Sequence, residues 1–184
     1  MHYFSRLIKA GFLFVFVASL QNQTVHAQKN SVKMTNPLLQ KSTLQYQAPP
    51  FNLIKDEHFK PAFEYGLKVH IQEIEKIANN SAKPTFANTV LAVETSGVDL
   101  IRAIGIFYNL TGSNTNPTLQ AIEAEYAAVF SAHNDKIYLD SKLYKRFKAL
   151  DLSVLKGEDK KLTQYYLQLF ELAGANLSAA DKEK

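Results

Sequence analysis

Five histidines are the first candidates for chemistry in this chain: His2, His26, His58, His70 and His133. A zinc site on a helix needs two histidines one turn apart, as in H-E-x-x-H, so that both nitrogens converge on one ion. No histidine here has another at i+4, and H-E-x-x-H is absent. The reversed H-x-x-E-H fails as well, because Ile54 stands four residues before His58. His58 follows Asp56 and Glu57 at the mouth of a helix, where acidic residues favour the helix dipole in any case. His70 and His133 fall on apolar stripes of separate helices. Each reads as a partly buried, hydrogen-bonded side chain rather than a ligand.

Nucleophiles fare no better. Cysteine is absent, which removes thiolate catalysis, cysteine metal sites and disulfides together. There is no G-x-S-x-G, no phosphate-cradling G-x-x-x-x-G-K and no G-x-G-x-x-G. Glu123 and Glu125 are two apart, so on a helix they point to different faces and make a poor acid–base pair. No residue is therefore assigned a catalytic, cofactor-binding or metal-ligating role.

The elements that carry these residues are helical. Phe59, Phe63, Leu67, His70, Ile74 and Ile77 step by three and four, with Pro61 tolerable in a first turn. Asn79, Asn80 and Pro84 close that helix. Thr85 then caps a segment whose stripe is Phe86, Val90, Val93, Gly97, Ile101, Ile104 and Tyr108. Gly97 on that stripe implies close helix contact or a kink. "NLTGSNTNP" reads as a loop ending in Asn116 as cap and Pro117 at the first helical position. The third helix buries Leu119, Ile122, Tyr126, Val129 and His133. A shorter one spans Ser141 to Leu150, and a fifth runs from about Glu158 to Ala173 with Leu162, Tyr166, Leu169 and Ala173 inward. Nothing alternates as a strand would. The fold class is all-α, in antiparallel hairpins joined by short loops.

At its start the chain carries Arg6 and Lys9, an apolar run from Ala10 to Leu20, and Val25-His26-Ala27. That is the layout of a secretory signal peptide cleaved after Ala27, and the apolar run is short for a bilayer span of roughly 20 residues. Residues 1–27 are read as signal peptide, 28–56 as an extended polar lead-in with Pro37, Pro49 and Pro50, and 57–184 as the helical domain. The formal net charge of +4 includes Arg6 and Lys9, so the basic balance says little about partners. Lys142, Lys145, Arg146 and Lys148 alternate with Leu143, Tyr144 and Phe147 and read as a solvated helix face, not a nucleic-acid patch. The N-x-[ST] matches at Asn22, Asn79, Asn109 and Asn176 matter only in a eukaryotic secretory route. At the other end, Gly174 reads as a helix stop. Ser178 with Asp181 reads as the cap of a further helix, which the sequence leaves at about one turn.

One stretch goes beyond pattern. "NPLLQKSTLQYQAPPFNLIKDEHFKPAFEYGL" resembles the beginning of the thimet-oligopeptidase/oligopeptidase A family of zinc metallopeptidases, in its peptidyl-dipeptidase branch. So do "IEKIANNSAKPTFANTVLAVETSG", "FYNLTGSNTNPTLQAIEAEYA", "SAHNDKIYLDSKLYKRFKALD" and "AGANLSAADKEK", in the family's order from Asn36 onward. The resemblance implies a large helical enzyme split by a channel whose N-terminal helices admit short, unfolded peptides. It implies one zinc held by H-E-x-x-H and a later glutamate, with the motif glutamate as general base. None of those residues has a counterpart among these 184. The chain is expected to be the N-terminal part of an exported enzyme of the bacterial periplasm, truncated at its C-terminal end. It is expected to be monomeric, free of the membrane after cleavage, without bound zinc, and inactive alone. The alternatives are a free-standing exported peptide-binding protein without catalysis, and a membrane-anchored scaffold if residues 1–27 are retained.

Overall fold

The structure, a computed structural model, describes residues 36–177. The expected signal peptide, and the cap at Ser178 with Asp181, lie outside the described residues. Among those described, every regular element is helical. The five long helices are α1 (Phe59–Ala78), α2 (Val98–Ser113), α3 (Pro117–Tyr138), α4 (Ser141–Lys148) and α5 (Gly157–Leu172). Between α1 and α2 lies a π-helical stretch, Phe86–Leu91, running into one α-turn, Ala92–Glu94.

The caps follow the sequence. Thr85 Oγ1 accepts from Asn88 N at 3.2 Å, and Asn88 Oδ1 accepts from Thr85 N at 2.9 Å. Asn116 Oδ1 accepts from Leu119 N at 2.9 Å, with Pro117 opening α3. At the far end Gly174 takes φ +92. Ala175 N donates to Phe170 O and Gly174 N to Glu171 O, the paired bonds of a Schellman stop.

Two cores organise the packing. The first joins Phe59, Phe63, Phe107, Leu119, Ile122 and Tyr126. Phe63 makes edge contacts with Phe107 at 5.3 Å and Phe130 at 5.0 Å. The second joins Ile74, Val90, Val93, Leu143, Phe147 and Phe170. Contacts fix the directions. Phe59 meets Phe107, Gly66 meets Leu100 and His70 meets Gly97, so α1 and α2 run antiparallel. Phe63 meets Tyr126 and His70 meets His133, so α1 and α3 run parallel. Gly66 sets the closeness of the first pair: a Cβ there would lie 2.9 Å from Leu100 Cα.

Several sequence expectations are corrected. The stretch Thr85–Tyr108 is not one helix, because the chain turns at Gly97 with φ +67 and the helical phase restarts at Val98. Ile101 and Tyr108 are consequently exposed, while Leu100, Ala103, Ile106 and Phe107 face inward. The start of "NLTGSNTNP" is helical rather than loop, since α2 continues to Ser113 and Leu110 packs on the first core. In α3 Phe130 packs on the core and Val129 is exposed. In α5 the buried face is Thr163, Tyr166 and Phe170, rotated from the expected stripe, so Ala173 is exposed and Leu169 half-buried. Leu38 and Leu39, within the stretch read as a polar lead-in, are buried in the first core. Burying two leucines stabilises by roughly 3–6 kcal/mol, enough to make this segment part of the folded unit. Asn36 anchors it, accepting from Leu38 N and donating to His58 O at 2.7 Å.

Arg146 is the sharpest correction. Lys142, Lys145 and Lys148 are exposed, but Arg146 turns inward and is buried. Its guanidinium donates to Asn80 O, to Ala82 O at 3.1 Å, to Asn88 Oδ1 at 3.1 Å and to Thr89 Oγ1 at 3.3 Å. It therefore ties the loop after α1 to α4 and satisfies carbonyls that burial would otherwise orphan. Each orphaned polar group costs about 1–3 kcal/mol. Arg146→Ala should lower stability by about 3 kcal/mol, and Arg146→Lys, lacking the planar fork, should recover only part of it. Urea unfolding of the two variants checks this.

Candidate functional site

His70 and His133 come from helices that run side by side, and the fold brings them together. His133 Nε2 lies 2.9 Å from His70 Nδ1, and His70 Nε2 lies 3.1 Å from Ser96 Oγ. Ser96 Oγ itself donates to Val93 O at 2.7 Å. That last bond decides the protons. A serine hydroxyl has one hydrogen, already given to Val93, so Ser96 can only accept from His70 Nε2–H. A neutral His70 then offers a bare Nδ1, and His133 must donate its Nε2–H to it. The direction of donation runs His133, His70, Ser96, Val93.

Local chain geometry holds this relay in place. Glu73, one turn beyond His70 on α1, accepts from Gly97 N at 2.8 Å. The α1 residues His70 and Glu73 thus grip adjacent residues of the Ser96–Gly97 turn. A Cβ on Gly97 would stand 2.8 Å from the His70 ring, so glycine serves both the positive φ and the ring's approach. The pair sits between the two cores: Phe63 and Tyr126 lie on one side along α1 and α3, Ile74 and Ile137 on the other.

Burial lowers the pKa of His70, partly opposed by the negative Glu73. His133 is pushed down to about 4 by burial, then by His70 and by Lys136. Both imidazoles are neutral at pH 7, as the relay requires. Beside them lies a cavity of about 300 Å³, whose lining includes Leu100, Ile104, Tyr108, Phe130 and Asn134 as well as the two histidines.

The sequence placed each histidine on its stripe but could not join them across 63 positions. The only signal that could have helped is the shared depth of His70 and His133 within parallel helices. His58 does not join them; its Nδ1 accepts from Lys55 N at 3.0 Å and closes the turn before α1. Glu125 pairs with Lys60 on the surface at 2.5 Å. Among the described residues no group of three or more His, Asp or Glu side chains converges as a metal would need. A catalytic zinc centre takes three protein ligands, so this donor set does not fit one. Among the described residues, no helix is long and apolar enough to cross a membrane.

No family model matches the chain. It is 42% identical over 154 residues to a dipeptidyl carboxypeptidase of Salmonella typhimurium, covering 82% of this chain and 23% of that protein. It is 39% identical over 153 residues to the dipeptidyl carboxypeptidase of Escherichia coli, covering 81% and 22%. The chain belongs to the dipeptidyl carboxypeptidase and oligopeptidase A family. Oligopeptidase A of Escherichia coli is more distant, 24% identical over 155 residues. The chain spans less than a quarter of the length of the dipeptidyl carboxypeptidases it matches.

Two outcomes follow for this member of the family. The unfolded chain takes up protons at histidines near pH 6.5, whereas folded His70 and His133 resist until lower pH. Between about pH 6.5 and 4 the unfolded state therefore binds more protons, and stability falls as pH falls. A loss of about 1–2 kcal/mol is expected once solvent screening is discounted. His133→Gln should flatten that slope in denaturant titrations run at each pH. Gly97→Ala should lower stability by about 2 kcal/mol or more, read in the same experiment, through the positive φ and the collision with His70.

Proposed function

We propose that this chain forms the entrance-side helical wall of an exported zinc peptidyl-dipeptidase, with short unfolded peptides as what it admits. The observation that carries the reading is the match to dipeptidyl carboxypeptidases over most of this chain. The names of those relatives point to release of dipeptides from a peptide's C-terminus. In this reading the zinc and its general base belong to the parent enzyme, and this chain's residues bind no metal. The 184 residues hold no H-E-x-x-H, which supports a positioning role and no hydrolysis by this chain alone.

Export rests on the signal-peptide layout of residues 1–27, and a bacterial periplasm is the compartment proposed. N-terminal sequencing of the secreted product should begin at Gln28. The purified chain supplied with zinc should release no dipeptide from an oligopeptide, by mass spectrometry of the products. Stoichiometric release would overturn the reading.

One observation favours a second reading, a free-standing exported peptide-binding protein. Both cores are filled by side chains from the described residues themselves, from Leu38 at one end to Ala175 at the other. Heating separates the two. A wall that relies on the rest of an enzyme should melt broadly and self-associate through exposed apolar surface, whereas a free-standing monomer should melt sharply.

A further inference from the structure

The relay leaves one atom over. His133 Nε2 is spent on His70, and among the described residues His133 Nδ1 has no hydrogen-bond partner. Among the described residues the one fully buried side-chain polar atom without a partner is Arg146 Nε, so His133 Nδ1 is not sealed off, although His133 as a whole is only 8% exposed. It is a bare lone pair, because the relay fixes the ring's single proton on Nε2. His133 also helps, with His70, to line the cavity between α2 and α3, whose other walls are Leu100, Ile101, Ile104, Tyr108 and Phe130, with the amide of Asn134 as a further polar group.

The chemistry of an occupant follows. At about 300 Å³ the cavity lies at the small end of ligand sites, which run from roughly 300 to 1,000 Å³, so it suits one side chain rather than an extended ligand. Two aromatic and several aliphatic walls favour a flat apolar group. An anion would meet the lone pair of a neutral imidazole. A cation would meet Lys136, close enough to His133 to disfavour added positive charge there. A metal ion could take the same lone pair, but among the described residues no group of three or more His, Asp or Glu side chains converges to hold one. A neutral donor on an aromatic ring satisfies every constraint.

We propose that this cavity is a subsite for a neutral aromatic side chain bearing a hydrogen-bond donor, a phenol or an indole, with His133 Nδ1 as the acceptor. His70, Ser96 and Val93 act as positioning groups that hold the acceptor tautomer. The inference rests on the peptide-handling reading for the source of that side chain, though not for the site itself.

The test uses the full chain and three probes of nearly one shape: p-cresol, 4-methylanisole, whose ether lacks the donor proton, and toluene. Imidazole nitrogen resonances report where each binds. p-Cresol should perturb His133 Nδ1 and bind roughly three- to tenfold tighter than 4-methylanisole, the net worth of one hydrogen bond. His133→Phe should erase that preference. Because the probe comparison is made on the unmodified chain, a variant that fails to fold leaves the test intact. Equal binding of p-cresol and 4-methylanisole, or no binding of any probe, overturns the subsite. If p-cresol binds as expected while a tyrosine-containing oligopeptide does not, the subsite stands and the peptide-handling reading fails.

Discussion

The turn at Ser96–Gly97 is the constraint on which the rest of this structure depends. An apolar stripe that runs unbroken in the sequence is divided there into two helical segments of different phase. The first sends Val90 and Val93 into the second core, and α2 then sends Leu100, Ala103 and Phe107 toward α1. The turn survives because α1 grips it from two positions, with His70 on Ser96 and Glu73 on Gly97. Without a left-handed residue at that point, α2 would continue the earlier axis and lose its antiparallel contact with Phe59 and Phe63. One glycine therefore links local backbone conformation to the filling of both cores.

That dependence explains which parts of the structure were legible in the sequence. Caps were legible because they are local: Thr85, Asn116 and Gly174 each act within a few residues of themselves. The helical class was legible because apolar spacing repeats over many turns. Phase was not legible across Gly97, since a stripe read through a turn assigns inward faces to residues such as Ile101 and Tyr108 that lie outside. The stop of α2 is hidden for a related reason. Asn109, Gly112 and Asn114 speak locally for a loop, but Leu110 reaches the first core and carries the helix onward.

Charged and polar residues mark the deeper limit. Composition reads Lys142, Lys145, Arg146 and Lys148 as one solvated face, yet Arg146 turns inward to four acceptors, two from the loop after α1 and two from the π-helical stretch. Lysine at that position could satisfy one or two of them; guanidinium spans four. The candidate site hides in the same way. His70 and His133 each look like an isolated polar interruption of an apolar face, and only the parallel course of α1 and α3 makes them a pair.

That pair occupies the boundary between the two cores, where a wholly apolar filling would be the simpler design. A polar network there must be fully satisfied to be tolerated, because an unpaired buried group costs more than the bond it forgoes. The relay meets that demand for three of the four ring nitrogens and leaves one free lone pair, on a histidine that lines the cavity. Reversing each donor would leave the Ser96 and Val93 oxygens facing each other at 2.7 Å with no proton between them. Val93 O prevents the reversal: it can only accept, so the serine must donate to it and every proton upstream is fixed. The backbone of one element thereby dictates the chemical character that another element brings to the cavity.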